Sequence, residues 1–205
     1  MSMTKKDAEL QADIIVKKIL HNNDKFSELL DGVKNKDDKI RYPNAIALEV
    51  LSVKNPEIVY PAWDFFVDLL RGNAYHKSIA ISTISNLTKI DKEKKFEEIF
   101  DLYFNNIDDK SVIVTRKLAI HAGRITIAKP HLRSKITTIL LSIDETQHNP
   151  SRKDLIKGDI IQSFSEYFKD EEEKELIIKF VKNQLNSSSP STIKKAKEFI
   201  SIYHI

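Results

Sequence analysis

The chain contains no cysteine, only four glycines and six prolines, and a single tryptophan among its 205 residues. Without cysteine it has no disulfide, no iron–sulfur cluster, no cysteine-based zinc site and no catalytic thiol. All-β and Rossmann-like folds need more turn residues than this, whereas helical folds do not. The scarcity of glycine and proline therefore favours a helical protein.

Long apolar stretches are also missing, and none approaches the roughly 18 residues that a membrane-spanning helix needs. Residues 1–11 are polar and carry no apolar targeting segment. A chain without cysteines or a membrane span is expected to be a soluble protein of the reducing cytosol. Its net charge of +3 is only mildly basic, so the total charge neither demands nor excludes a polyanionic partner.

One apolar pattern, with apolar residues at i, i+3, i+4 and i+7, recurs five times along the chain. This spacing puts an apolar stripe on each of five similar helices, called the first helices here. The fifth copy has its last apolar residue one place late. The copies begin at Phe26, Trp63, Phe100, Ile136 and Ile177.

Each first helix is followed by a second helical segment with its own pattern, called a second helix here. Small residues such as Ala47, Ala80 and Ala122-Gly123 lie in the middle of these segments. Small side chains allow a neighbouring helix to approach closely, so we expect the second helices to pack against one another.

At this point the chain resembles the HEAT-repeat family, in which an apolar first helix precedes a second helix with an Asp…Val-Arg…Ala…Ala-Leu signature. The resemblance covers about residues 23–205, and it is specific for architecture and nearly silent on function. It implies an all-α superhelix, or armadillo-like solenoid, of about five HEAT-like helical hairpins that acts as a scaffold. The best match reads Asp38, Ile40, Arg41, Asn44, Ala47 and Leu48.

We expect a single domain over residues 1–205, with an N-terminal capping helix at residues 4–20. The predicted repeats cover about residues 23–55, 56–90, 91–128, 129–168 and 169–205. A four-helix bundle is the alternative fold, but it needs four long helices, and the apolar pattern gives many short ones.

A basic residue occupies an equivalent position near the start of each second helix. In a regular stack, these residues form a row with a step of about 8–10 Å, the spacing of packed helices. Two interpretations stay open: a track of cations for phosphates, or ion pairs with acidic residues of the same or the next repeat. The row consists of Arg41, Lys77, Arg116, Lys157 and Lys194.

A second basic feature is the segment from Lys110 to Ile143, which has seven basic residues and no acidic one. A sustained positive patch of this kind attracts phosphates, anionic proteins or a membrane surface. Acidic residues of the preceding segment, among them Glu97 and Asp101, could neutralise part of it. The seven residues are Lys110, Arg116, Lys117, Arg124, Lys129, Arg133 and Lys135.

Motifs for catalysis and for metal binding are absent from the sequence. The six histidines form no HExxH pair or other short ligand spacing. No glycine-rich phosphate loop, nucleophile elbow or kinase signature occurs. We therefore expect no catalytic residue, no metal and no cofactor.

One enzyme hypothesis rests on a further resemblance. The stretch from Trp63 to Asp68 is similar to the Trp-Asp-x-Val-Asp element of HEAT-like DNA alkylation-repair glycosylases, although it has one residue too many. Arg116-Lys117 and the apolar run after it are similar to the second element of those enzymes. The resemblance implies a carboxylate role for Asp64 or Asp68. Trp63 is the only tryptophan, however, and it fits the apolar pattern of a core residue.

The sequence thus predicts a non-catalytic HEAT-repeat binding or scaffold protein whose concave basic face binds a macromolecular, anionic partner. Nucleic acid is placed slightly ahead of an acidic protein segment, and a pure protein adaptor follows closely. A continuous positive face favours nucleic acid, and a neutralised row favours the adaptor. The predicted binding residues are Arg41, Lys77, Arg116, Lys117, Arg124, Lys129, Arg133, Lys157 and Lys194.

Overall fold

The computed structural model describes residues 4–171 and 174–205. Within these residues the chain is all-helical and has no β-strand, which confirms the predicted all-α class. No helix in this described part combines the length and the apolar character that crossing a membrane requires.

The contacts divide the chain into two compact units, residues 1–93 and 94–205, which are described separately. The single-domain organisation stays a prediction. Unit 1 contains α1 (Lys5–His21), α2 (Phe26–Val33), α3 (Asp38–Lys54), α4 (Pro56–Val59), α5 (Trp63–Leu69) and α6 (Ala74–Leu87). Unit 2 contains α7 (Lys95–Glu98), α8 (Phe100–Phe104), α9 (Val112–Ala128), α10 (Arg133–Leu141), α11 (Pro150–Tyr167), α12 (Lys174–Asn183) and α13 (Pro190–Tyr203).

All five copies of the apolar pattern begin within helices: α2, α5, α8, α10 and α12. Most of their apolar positions are buried, as the periodicity predicts, because a stripe at i, i+3 and i+4 faces one side of a helix. Leu185, the late residue of the fifth copy, is 38% exposed. Phe66 of α5, Tyr103 of α8 and Ile136 of α10 are fully shielded from solvent. The helices α8, α10 and α12 each continue into a short 3₁₀ turn at their carboxyl ends.

The second helices begin where local capping chemistry places them. The side-chain oxygens of Asp37, Asn73, Asn149 and Ser189 accept hydrogen bonds from backbone N–H groups in the first turns of α3, α6, α11 and α13. Such bonds satisfy donors that a helix start otherwise leaves unpaired. Proline follows the cap in α11 and α13, as the Asn-Pro and Ser-Pro pairs in the sequence predict.

Within unit 2, the second helices α9, α11 and α13 lie side by side and run parallel. A Cβ atom on Gly123 of α9 would lie 2.7 Å from the backbone oxygen of Ser163 in α11. A Cβ atom on Gly158 of α11 would lie 2.6 Å from Oγ1 of Thr192 in α13. The absent side chains therefore allow the close approach that the small residues predict.

Within unit 1, α3 packs against α1, α2 and α6. The α1 helix starts with a capping box between Thr4 and Asp7, in agreement with the predicted helix over residues 4–20. Tyr75 of α6 donates its hydroxyl hydrogen to the backbone oxygen of Arg41 in α3 at 3.1 Å. This bond and the buried contact between Asn86 and Ser52, at 2.9 Å, join α6 to α3.

Candidate functional site

A buried carboxylate in unit 2 binds one cation of the basic row and the lysine next to another. Arg116 of α9 donates through Nε to Oδ2 of Asp159 at 2.6 Å, and Lys195 of α13 donates through Nζ to Oδ1 at 3.0 Å. The Asp159 side chain is only 3% exposed and lies on α11, between the two cations. The hydrogen bond to Asp159 raises the pKa of Arg116. One carboxylate thus joins three consecutive second helices.

Arg116, Asp159 and Lys195 form a triad, and neither Asp159 nor Lys195 was predicted from the sequence as a member of it. Lys194 stands in the predicted row, but it is exposed and its nearest carboxylate is that of Glu198, one turn away at 3.8 Å. The residue that reaches Asp159 is its neighbour Lys195. Asp159 could have been recognised as a buried carboxylate from its position as a lone acid among Ile156, Gly158 and the isoleucines that follow.

Two further residues of the row, Lys157 and Arg41, lie beside carboxylates or aromatic rings of their own unit. Lys157 is 2.7 Å from Asp144, in the 3₁₀ turn after α10. In unit 1, the Arg41 guanidinium is 2.6 Å from Asp38 and lies over the ring of Tyr75. Lys77 lies on α6 and is partly buried.

The acid-free segment is neutralised in part from outside, as anticipated for Glu97 and Asp101. Lys129 is buried, and its Nζ lies 3.1 Å from the Glu97 carboxylate. Lys135 is 3.1 Å from Asp101 at an exposed position. Arg133 donates to a backbone oxygen at the end of the 3₁₀ turn after α11. Lys129, Lys135 and Arg133 are therefore engaged by groups outside the segment, as Arg116 is.

Lys117 and Arg124 lie on the outward side of α9, within a stripe in which isoleucines alternate with cations. From Ile113 the stripe advances by four, three, four and three residues, which keeps its members on one side of a helix. Ile113 is 63% exposed and Ile127 is 56% exposed, whereas Lys117 and Ile120 between them are half-buried. We call this set the α9 seam: Ile113, Lys117, Ile120, Arg124 and Ile127.

His121 lies beside the α9 seam and reports on its charge. The side chain is 3% exposed, and its Nδ1 atom has no hydrogen-bond partner in the described part of the chain. Burial, followed by the positive charges of Arg124 and Lys117, lowers the pKa of His121 to about 3. Both cations therefore lie close enough to this buried ring to disfavour its protonated form.

Glu166 of α11 moderates the charge at one end of the α9 seam. Burial raises the pKa of Glu166, and the nearby Arg124 lowers it, so the two groups interact electrostatically. Exposed aliphatic side chains continue beyond α9, with Leu155 of α11 41% exposed and Ile202 of α13 63% exposed. The outward side of unit 2 thus combines largely paired charges with unburied apolar groups.

Replacing Asp159 by asparagine should lower the free energy of unfolding by about 2 kcal/mol. The substitution keeps the shape of the side chain but removes the charge that Arg116 and Lys195 share, and charge-assisted hydrogen bonds of this kind contribute about 1.5–3 kcal/mol each. The partial exposure of both cations reduces the loss, because solvent can reach them. Urea denaturation at neutral pH measures the difference.

The matched control is Asp101→Asn, which breaks the exposed ion pair with Lys135. Exposed pairs contribute at most about 1 kcal/mol, so this variant should differ little from the parent protein. Equal unfolding free energies for Asp159→Asn and Asp101→Asn would contradict the role given to the buried carboxylate.

The residues of the glycosylase resemblance lie in different surroundings. Trp63 is 2% exposed and packs beside the ring of Tyr60, at 5.7 Å between centroids. Asp64 is exposed, and Asp68 is exposed beside Arg71 at 3.3 Å. Trp63 is a core residue, as its place in the apolar pattern predicts, and its ring is not presented to a ligand.

Across residues 4–171 and 174–205, no three histidine, aspartate or glutamate side chains come together as ligands of a metal ion would. Compared with known proteins, the chain matches no family model, no curated protein and no solved structure.

Proposed function

We propose that the chain is a non-catalytic helical-repeat protein of the HEAT type, a solenoid whose second helices bind an acidic segment of a partner protein. The α9 seam is the observation that carries this proposal, because it presents the exposed Ile113 and Ile127 and the half-buried Ile120 among cations. Parallel packing of α9, α11 and α13, with glycines at both crossings, supports the repeat architecture.

The pairing of the basic row favours a protein over nucleic acid. Binding to phosphates depends on several available cations that release counterions. Arg116, Lys129 and Lys157 are instead engaged by carboxylates of this chain. Exposed aliphatic groups gain nothing from a phosphate backbone, whereas protein interfaces bury them in their centre. The combination fits a partner that offers both apolar side chains and carboxylates.

A glycosylase that extrudes a base reads it by stacking against aromatic or apolar side chains in a pocket. Trp63, the aromatic residue of the resemblance, is enclosed in the core of unit 1. Its burial supports the non-catalytic proposal over the enzyme alternative.

The experiment compares a labelled glutamate-rich peptide, its lysine-rich counterpart and a short DNA duplex by fluorescence anisotropy at low salt. We expect the acidic peptide to bind at least about tenfold more tightly than the basic one, since Lys117 and Arg124 are both cations. The double substitution Lys117→Glu and Arg124→Glu should abolish this preference because it reverses both charges.

The matched control is Lys179→Glu with Lys182→Glu, which makes the same charge change on exposed residues of α12. The control should keep the preference of the parent protein. The nucleic-acid version is favoured instead if the duplex binds more tightly than the acidic peptide. In that case log K should fall with log salt by about 0.9 for each phosphate contacted.

A further inference from the structure

The α9 seam has the periodicity of a helix–helix interface. Its isoleucines recur every seven residues, at Ile113, Ile120 and Ile127, and its cations recur every seven, at Lys117 and Arg124. A seven-residue recurrence of apolar side chains is the pattern by which two helices pack along their length. At 1.5 Å per residue the seam is about 21 Å long, the length of about four helical turns.

The seam is distinct from the face by which α9 packs into unit 2. The core face of α9 is formed by fully buried residues such as Val114, Leu118 and Ile125. Isoleucine is a poorer helix former than alanine, lysine or glutamate, so local helix stability does not explain exposed isoleucines. The seam is therefore a second apolar stripe on α9, separate from the buried stripe that packs into the core of unit 2.

The neighbouring helix adds apolar area at one end of the seam. The contacts of Arg116 with Asp159 and of Gly123 with Ser163 fix α9 parallel to α11. In that register the exposed Leu155 of α11 stands level with Ile113. An exposed aliphatic side chain of the neighbouring helix is therefore present at the level of the amino-terminal end of the seam.

The positive charges of the seam determine which kind of helix can bind to it. A second copy of this chain is a poor occupant: in a parallel pair each cation of the seam would face itself, and in an antiparallel pair Lys117 would approach Arg124. Like charges opposed across helices destabilise the pair. Carboxylates at the corresponding positions of a partner would instead meet opposite charges.

Resting on the function proposed above, we infer that the α9 seam docks an amphipathic acidic helix of a partner protein. The helix presents aliphatic side chains every seven residues to the three isoleucines and carboxylates to Lys117 and Arg124. Because Arg124 also interacts with Glu166, Lys117 contributes the larger share of the charge selectivity. The low pKa of His121, which both cations help to depress, is in line with these charges.

The test uses two synthetic peptides of the same composition, each about three heptads long. In the seam peptide, leucines recur every seven residues with glutamates between them to face the cations, and in the other peptide the order is scrambled. Calorimetric titration of the full chain should give a Kd for the seam peptide at least about tenfold lower than for the scrambled one.

Substitution of the isoleucines provides the structural readout. Ile113→Gln with Ile127→Gln should raise the Kd of the seam peptide to that of the scrambled peptide. Leu176→Gln, at a 50% exposed leucine of α12, should leave it unchanged. Lys117→Glu should reduce the preference for the glutamate version of the seam peptide over a lysine version several-fold, because only Arg124 of the two seam cations then remains. Circular dichroism verifies that each variant is folded.

The outcomes separate the two proposals. Equal affinity for seam and scrambled peptides, with both lost on charge reversal, overturns the helix-docking inference and leaves acidic binding intact. No preference for acidic over basic peptides overturns the proposed function itself. A dimer of the parent chain in sedimentation, dispersed by the isoleucine substitutions, overturns the inference in favour of self-association.

Discussion

Between about pH 6 and pH 4 the protein should lose about 3 kcal/mol more unfolding free energy than a His121→Gln variant loses. In the unfolded chain His121 takes up a proton near its usual pKa of about 6.5. In the folded chain, burial and the adjacent Arg124 and Lys117 lower that pKa to about 3. The unfolded state therefore binds one more proton throughout this interval.

The extra proton on the unfolded chain determines the sign of the pH dependence of stability. Stability rises with pH wherever the unfolded state holds more protons, here by about 1.4 kcal/mol per pH unit. The contribution of His121 is complete above the unfolded pKa and is lost progressively as the pH falls towards the folded pKa. Urea denaturation at several pH values measures the slope for both proteins, and the difference between the slopes isolates His121 from the carboxylates.

The control is His21→Gln, because His21 is exposed at the end of α1. Its pH profile should run parallel to that of the parent protein. If the profile of His121→Gln also ran parallel to the parent's, the ring would be reached by solvent and its low pKa would be incorrect.

Valine at position 123 should destabilise the protein by about 3 kcal/mol, since forcing methyl groups into a packed contact typically costs about 1–3 kcal/mol and valine is a weak helix former. A Cβ atom at this position lies 2.7 Å from the backbone oxygen of Ser163 and 3.0 Å from Cδ of Glu166. A backbone atom of α11 cannot rotate away as a flexible side chain can. The whole of α11 would have to shift.

Thermal and urea denaturation of Gly123→Val measure this loss, with Ala128→Val at the end of the same helix as the matched control. Ala128 does not lie at the crossing, so that variant should lose only the small difference in helix propensity, below about 1 kcal/mol. If Gly123→Val were as stable as Ala128→Val, α9 and α11 would not be as close as the structure places them.

Much of the fold follows from local chemistry that the sequence displays directly. Helix starts at Pro150 and Pro190 are recognisable because the residue before each proline caps the helix with its own side chain. The burial of Trp63 and Phe66 follows from the helical spacing of apolar residues, which is visible within a single short stretch of sequence. Gly123 indicates a close helix crossing in the same way, because a glycine in the middle of a helical segment is visible in the sequence itself.

The charge pairing did not follow from the sequence, because it joins residues far apart in the chain. Arg116 and Asp159 are 43 positions apart, and Lys129 and Glu97 are 32 apart. Which cation reaches a given carboxylate depends on the rotation of each helix, and one position separates Lys194 from Lys195. The periodic isoleucines of α9 were visible, but the sequence alone does not distinguish an exposed stripe from a buried one on an apolar helix.

The carboxylate of Asp159 also determines how the carboxyl end of the chain can unfold locally. When α13 detaches, Asp159 loses Lys195 but keeps Arg116, so a buried charge is never left without a counter-charge. The detachment then costs the burial of residues such as Ala196 and Phe199 and the hydrogen bond between Lys195 and Asp159, but it leaves no ion stranded. We therefore expect amide exchange along α13 to report a local opening in which α9 and α11 stay joined through Arg116 and Asp159.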